Sequence, residues 1–155
     1  MKILFPVVRS TNVSSVLAPL LKNMVKAFKA ELHVLHMQLP TDANFRLRLK
    51  EAEAWLESFV AKHLSGLAIH RGQVVPGDPA QEILRYADEN DIDCIFIGTH
   101  GAQGLATALL GSVAKTIVGK SPVPVLCMNP YLMTQAFKKR NAEYLGKLLT
   151  DVPPK

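Results

Sequence analysis

The sequence predicts an open, doubly wound α/β fold: a five-stranded parallel sheet with helices on both faces. Three observations carry this. Short apolar runs alternate with stretches of helical periodicity along residues 2–128. Each strand-like run reaches the next through a helix, the connection that parallel strands require. The run at 92–97 places Ile92, Ile95, Phe96 and Ile97 close together, the look of a strand buried on both faces.

Taken in order, residues 2–8 (KILFPVV) read as the first strand, running into a loop at 9–12 where Thr11 or Asn12 can cap a helix. Val16, Leu17, Leu20, Leu21, Met24, Val25 and Phe28 then recur at helical spacing, and Pro19 inside them predicts a displaced or kinked first turn. Residues 31–38 (ELHVLHMQ) form the second strand, with Leu32, Val34 and His36 on one face and His33, Leu35 and Met37 on the other. A turn at 40–43 leads to a long amphipathic helix over 42–63, with Phe45, Leu49, Ala52, Leu56, Phe59 and Val60 inward and Gly66 beyond its end. Residues 68–75 are a third strand whose mixed polarity suits a sheet edge. Gly77-Asp78-Pro79 is a strong helix start, with Asp78 as N-cap and Pro79 at the first helical position. That helix carries Ile83, Leu84 and Ala87 and ends near Asn90. After the fourth strand, a helix begins at Gly111-Ser112 and is closed by Gly119, and residues 123–128 form the last strand.

A length of 155 residues suits one domain able to bury a sizeable core. The net charge of +5 is compatible with an anionic ligand but too diffuse to argue for nucleic acid. The apolar run at the N-terminus is broken by Pro6 and is too short for a secretory signal, and no run approaches a membrane span. Cys94 and Cys127 stand alone in predicted strands, as reduced core thiols of a cytoplasmic protein do. No Cys/His cluster has metal spacing, no carboxylate pair or activated nucleophile appears, and there is no Gly-Lys-Ser/Thr phosphate loop. His33, His36, His63 and His70 read as structural, and His100 as a solvated loop residue able to meet a phosphate.

The chemistry therefore points to the stretch after the fourth strand. The strand stops at Gly98, Gly101 and Gly104 follow in a polar loop, and Gly111-Ser112 opens a helix. Glycine lets a chain approach a ligand closely. The first amides of a helix have no partner within it, and the dipole there favours negative charge. The stretch has the form of an anion cradle.

Its spacing is G-x2-G-x9-G-S, from Gly98, Gly101, Gly111 and Ser112, flanked by IFIGTHG before and LLGSVAKTIVGKSPVPVLCM after. This resembles the nucleotide-binding signature of the universal stress protein family, over about residues 1–128. The resemblance implies the strand order 3-2-1-4-5, so that residues 6–9 and 98–101 face each other across a crevice where the order reverses. It implies a bound adenine nucleotide: ATP, or ADP or AMP, with Mg as a possible companion. Gly98 and Gly101 would let the loop pass ribose and phosphates. Gly111, Ser112 and Val113 would offer amides and a hydroxyl, the backbone of Met37 would read the adenine edge, and Pro6 and Ile97 would line base and ribose.

One position departs from the family. Its nucleotide binders usually carry an acid two residues after the first-strand proline, where this chain has Val8. A lost hydrogen bond to a charged group costs about 1.5–3 kcal/mol, so nucleotide binding is expected to be weaker or altered rather than absent. If ATP turns over, it does so slowly, and catalytic residues are not assigned. The resemblance further implies a homodimer paired through the last strand. The universal stress protein domain is expected over 1–129, with a helical extension over 130–155. There Tyr131, Leu132, Phe137, Tyr144, Leu145 and Leu148 make an apolar stripe beside Lys138, Lys139, Arg140 and Lys147, suited to its own domain, a second subunit or another protein partner. The alternative function is a dimeric scaffold of the same fold that holds no nucleotide and works through protein partners. An adenylyl-transferring or redox enzyme lacks the residues it needs.

Overall fold

The computed structural model describes residues 1–9, 12–40, 44–99 and 110–130, without the His70 side chain. Five strands and four helices alternate: β1 (Lys2–Val7), α1 (Val13–Phe28), β2 (Glu31–Gln38), α2 (Phe45–His63), β3 (Ile69–Pro76), α3 (Pro79–Glu89), β4 (Cys94–Gly98), α4 (Ser112–Lys120) and β5 (Val125–Met128). The strands form one sheet in the order β3-β2-β1-β4-β5, and every pairing is parallel. The fold and the strand order are those expected.

Period-two alternation sorts the core into two layers. Ile3, Phe5 and Val7 of β1 and Leu32 and Val34 of β2 meet Val13, Leu17, Leu21 and Val25 of α1 and Leu56 and Phe59 of α2. On the other face Leu4, Leu35, Ile95 and Ile97 meet Ile83, Tyr86 and Ala87 of α3 and Ala114 and Ile117 of α4. The two faces of β2 follow the expected division. His36 stacks on Trp55 of α2 at a ring-centroid distance of 5.0 Å, while His33 meets Tyr86 of α3. His33 is buried with both ring nitrogens engaged, Nδ1 with the Tyr86 hydroxyl (2.8 Å) and Nε2 with Glu31 (2.9 Å).

Several boundaries differ from expectation. Pro19 does not displace the first turn of α1, which begins at Val13, six positions earlier. Val13, Leu17, Ala18 and Leu21 are all buried, so the packed face holds the helix although Pro19 cannot donate to the carbonyl four residues before it. Val16 and Phe28, members of that helical pattern, are exposed. Asn12 is the N-cap residue of α1 but makes no side-chain cap hydrogen bond. Gly119 does not close α4, which continues to Lys120 and is capped by Ser121. Its last turn is tied by the Ser121 amide to the Ile117 carbonyl at 2.8 Å. β5 starts at Val125, later than expected. Asp78 caps α3 as read, its Oδ1 accepting from the Gln81 amide at 3.0 Å, with Pro79 at the first helical position. β3 is an edge strand as read, and one extra residue enters it where its register against Leu32 and His33 shifts.

Candidate site at the strand-order reversal

The chain leaves β1 toward one face of the sheet, to α1, and leaves β4 toward the other, to α4. Neighbouring parallel strands whose continuations part in this way open a crevice at their carboxyl ends. Their pairing is short. β1 is registered with β2 over six pairs, from Lys2↔Glu31 to Val7↔His36. With β4 it shares only Ile3↔Cys94 and Leu4↔Ile95. Pro6, with no N–H to give a ladder, stands two residues beyond the last of these.

The end of β1 is held from two sides. The Val8 amide donates to the buried Ser14 hydroxyl on the first turn of α1, at 2.9 Å. His36 Nδ1 donates to the Val7 carbonyl at 3.0 Å. Burial, with a smaller contribution from the nearby Arg9 charge, lowers the His36 pKa against the opposing pull of this hydrogen bond. A neutral imidazole with its proton on Nδ1 fits both facts. Neither Ser14 nor His36 was marked as a site residue by the sequence, since a serine in a helix and a histidine in a strand carry no spacing signal. Val8 is 40% exposed at this rim.

The other side of the crevice is the end of β4. Ile97 is buried, and the Thr99 amide donates to the Met128 carbonyl of the neighbouring β5 at 2.9 Å. Gly98 does not have positive φ. A Cβ there would lie 2.3 Å from Val13 Cγ1 and 2.8 Å from Leu17 Cδ1, so close passage of α1 supplies a reason for this glycine that involves no ligand. Gly111 is the N-cap of α4, in extended backbone (φ −58°, ψ 157°), with open space around it and no side-chain cap. Gly111 and Ser112 are exposed and Val113 half-buried, and the first-turn amides have no acceptor within the helix. Met37 is half-buried near the end of β2 and packs in the α3–α4 layer, and Pro6 is buried in β1. Thr11, His100, Gly101 and Gly104 lie outside the described residues, as do residues 131–155 of the expected extension.

Among the described residues, nothing at this site resembles an activated nucleophile. Burial pushes the Cys94 and Cys127 thiols up, which keeps them protonated. Among the described residues no group of three or more His, Cys, Asp or Glu is arranged to hold a metal ion, and no helix is long and apolar enough to cross a membrane. A groove of about 580 Å³ lies away from the crevice, between α2 and β3, with Leu56, Val60 and Val74 among its walls and Glu53 and Glu57 on its rim. It lies on an edge strand and offers no unpaired helix start.

Comparison with known proteins gives the same outline. The sequence model of the universal stress protein family matches residues 1–129. A universal stress protein of Methanocaldococcus jannaschii, MJ0531, is 33% identical over 116 residues, spanning 67% of this chain and 68% of that protein. A solved universal stress protein in complex with cAMP superposes with a TM-score of 0.67 at 20% identity, covering 84% of this chain and 97% of that one. A family protein of Arabidopsis thaliana with AMP bound gives a TM-score of 0.61 at 20% identity, covering 83% and 90%. At that identity the two structures speak to the fold.

Proposed function

Because the chain belongs to the universal stress protein family, we propose that it binds an adenine nucleotide in the crevice between β1 and β4 and acts as a stress-response regulator, with slow or no hydrolysis. The observation that carries this reading is the open start of α4 at the reversal of strand order. The cAMP and AMP complexes of proteins with this fold support it. In this reading the Gly111, Ser112 and Val113 amides and the Ser112 hydroxyl take the phosphates, while Gly98 and Gly101 let the loop run close to the ribose. The Met37 backbone reads the adenine edge, and Pro6 and Ile97 line base and ribose. ATP, ADP and AMP all suit the site. Val8 offers no ligand to Mg and no acceptor to a ribose hydroxyl, so binding is weaker than an acid would make it.

The protein works in the cytoplasm as a homodimer joined through β5, an edge strand with Leu126 37% exposed. We further propose that its domain is residues 1–129 and that the remainder of the chain serves a protein partner.

Mass spectrometry of the purified, denatured protein tests the reading. Release of ATP, ADP or AMP near one per chain is the expected result. No release, together with no thermal shift in millimolar Mg-ATP or AMP, overturns it in favour of a scaffold without nucleotide. In a calorimetric titration Val8→Asp is expected to tighten Mg-ATP binding about ten- to a hundredfold. An unchanged affinity removes Val8 from the crevice.

A further inference from the structure

Val8 leaves the end of β1 with an apolar side chain, and the residue after it carries a charge. The Arg9 side chain is 45% exposed. Its Nη1 lies 3.7 Å from Oε2 of Glu51 on α2, whose side chain is itself half exposed. That separation is beyond hydrogen-bond length, and a pair so open to water holds its members loosely. A guanidinium offers five donors in a planar fork matched to phosphate oxygens.

The surroundings favour an anion. Arg9 stands two residues after the end of β1, at the carboxyl edge where β1 and β4 part, and its guanidinium reaches to α2 on the α1–α2 face. The start of α4, across the crevice, is the positive end of a helix dipole. Lys115 stands at the end of its first turn. Glu51 is the carboxylate that Arg9 meets here. The backbone that bears Arg9 is anchored through Val7 and Val8, while its side chain, among the described residues, is tethered by one long contact.

Resting on the nucleotide reading above, we propose that Arg9 is a phosphate-binding residue of the crevice that exchanges its contact with Glu51 on α2 for the phosphate of a bound nucleotide. Two consequences follow. The site prefers a phosphorylated nucleoside to the bare nucleoside because of Arg9, and Glu51 competes with the ligand. α2 also loses a tie to the rim when the site fills. Trp55, the one tryptophan of the chain, lies one helical turn after Glu51 and stacks on His36, so its emission reports that change.

Calorimetric titration of the full-length protein with AMP and with adenosine tests the proposal, with circular dichroism confirming that each variant is folded. Arg9→Gln is expected to weaken AMP about tenfold, as loss of a charge-assisted hydrogen bond does, and to leave adenosine unchanged. Arg9→Lys retains part of the AMP affinity, since the charge stays and the fork is lost. Glu51→Gln tightens AMP by about two- to fivefold, in the range of an exposed ion pair, and the gain vanishes in the Arg9→Gln background. AMP shifts Trp55 emission in the wild type and not in Arg9→Gln. Equal AMP affinity in wild type and Arg9→Gln overturns the role of Arg9 and leaves the nucleotide reading standing. Loss of adenosine alongside AMP in Arg9→Gln also overturns it, by showing a structural effect. Failure of the wild type to bind either compound takes down the nucleotide reading and this proposal together.

Discussion

A methyl group on Gly98 would sit 2.3 Å from Val13 Cγ1 and 2.8 Å from Leu17 Cδ1, both on the buried face of α1. Gly98→Ala therefore pushes the first turns of α1 off the sheet. We expect a loss of about 1–3 kcal/mol in urea denaturation, the range for overpacking a core. Val13→Ala in the same chain removes the nearest atom and should return part of it; additive losses would contradict this packing account. The glycine itself was plain in the sequence, and so was its place at the end of a buried strand. The atoms it makes room for were not, because Val13 is 85 positions away and nothing local marks that meeting. His36 has the same character. Its pKa is lowered chiefly by burial, so between the folded value and the ordinary value of 6.5 the unfolded chain binds more protons than the folded one. Stability from this residue is fully present above pH 6.5 and is lost as pH falls below it. Urea midpoints compared between pH 7.5 and pH 5.5 should fall less in His36→Phe, which keeps a ring against Trp55, than in the wild type. An identical fall would show that His36 does not carry this dependence.

Among the elements, α3 was the most legible. Asp78, Pro79 and the amide of Gln81 stand in the order that a capped helix start demands, and the cap is present. Asp78→Ala should cost about 1 kcal/mol, read as a lower denaturation midpoint with unchanged m-value. A negligible loss would mean that the end of α3 is held by packing rather than by its cap. α1 was harder to read. Pro19 argued for a displaced or kinked first turn, yet Val13, Leu17 and Leu21 were already enough to pin a helix to β1 and β2. Tertiary burial outweighed the local penalty, a comparison that a linear pattern does not contain. The end of α4 failed for a related reason. Gly119 has the composition of a stop, but the turn runs one residue further because Ser121 still finds the Ile117 carbonyl.

At the scale of the whole molecule, alternation of strands and helices was enough to read the parallel sheet, while the order of its strands came from likeness to a family. Periodicity says which residues face inward and nothing about which strand lies beside which. The candidate crevice inherits that division. Gly98, Gly111 and Ser112 were visible by spacing, whereas Ser14 and Glu51 gained meaning only when folding set α1 and α2 beside the end of β1. The sheet also has an uneven texture. β1 shares six registered pairs with β2 and two with β4. Side chains do much of the joining at the weaker line, with Phe5 and Phe96 meeting across it at a centroid distance of 5.7 Å and α1 lying over Gly98. The Ile95 amide donates to the Pro124 carbonyl on the β5 side, so Phe96 is the residue whose amide turns toward β1. Its hydrogen exchange should be faster than that of Val34 and Leu35, and equal protection would deny the difference.

That short ladder predicts two stiffer leaves, β3-β2-β1 and β4-β5, meeting at a narrow spine. A guest gripping both leaves would act as a clasp, slowing the breathing of the spine far more than that of either leaf. Such a molecule can record occupancy as a change in suppleness while its average shape stays the same.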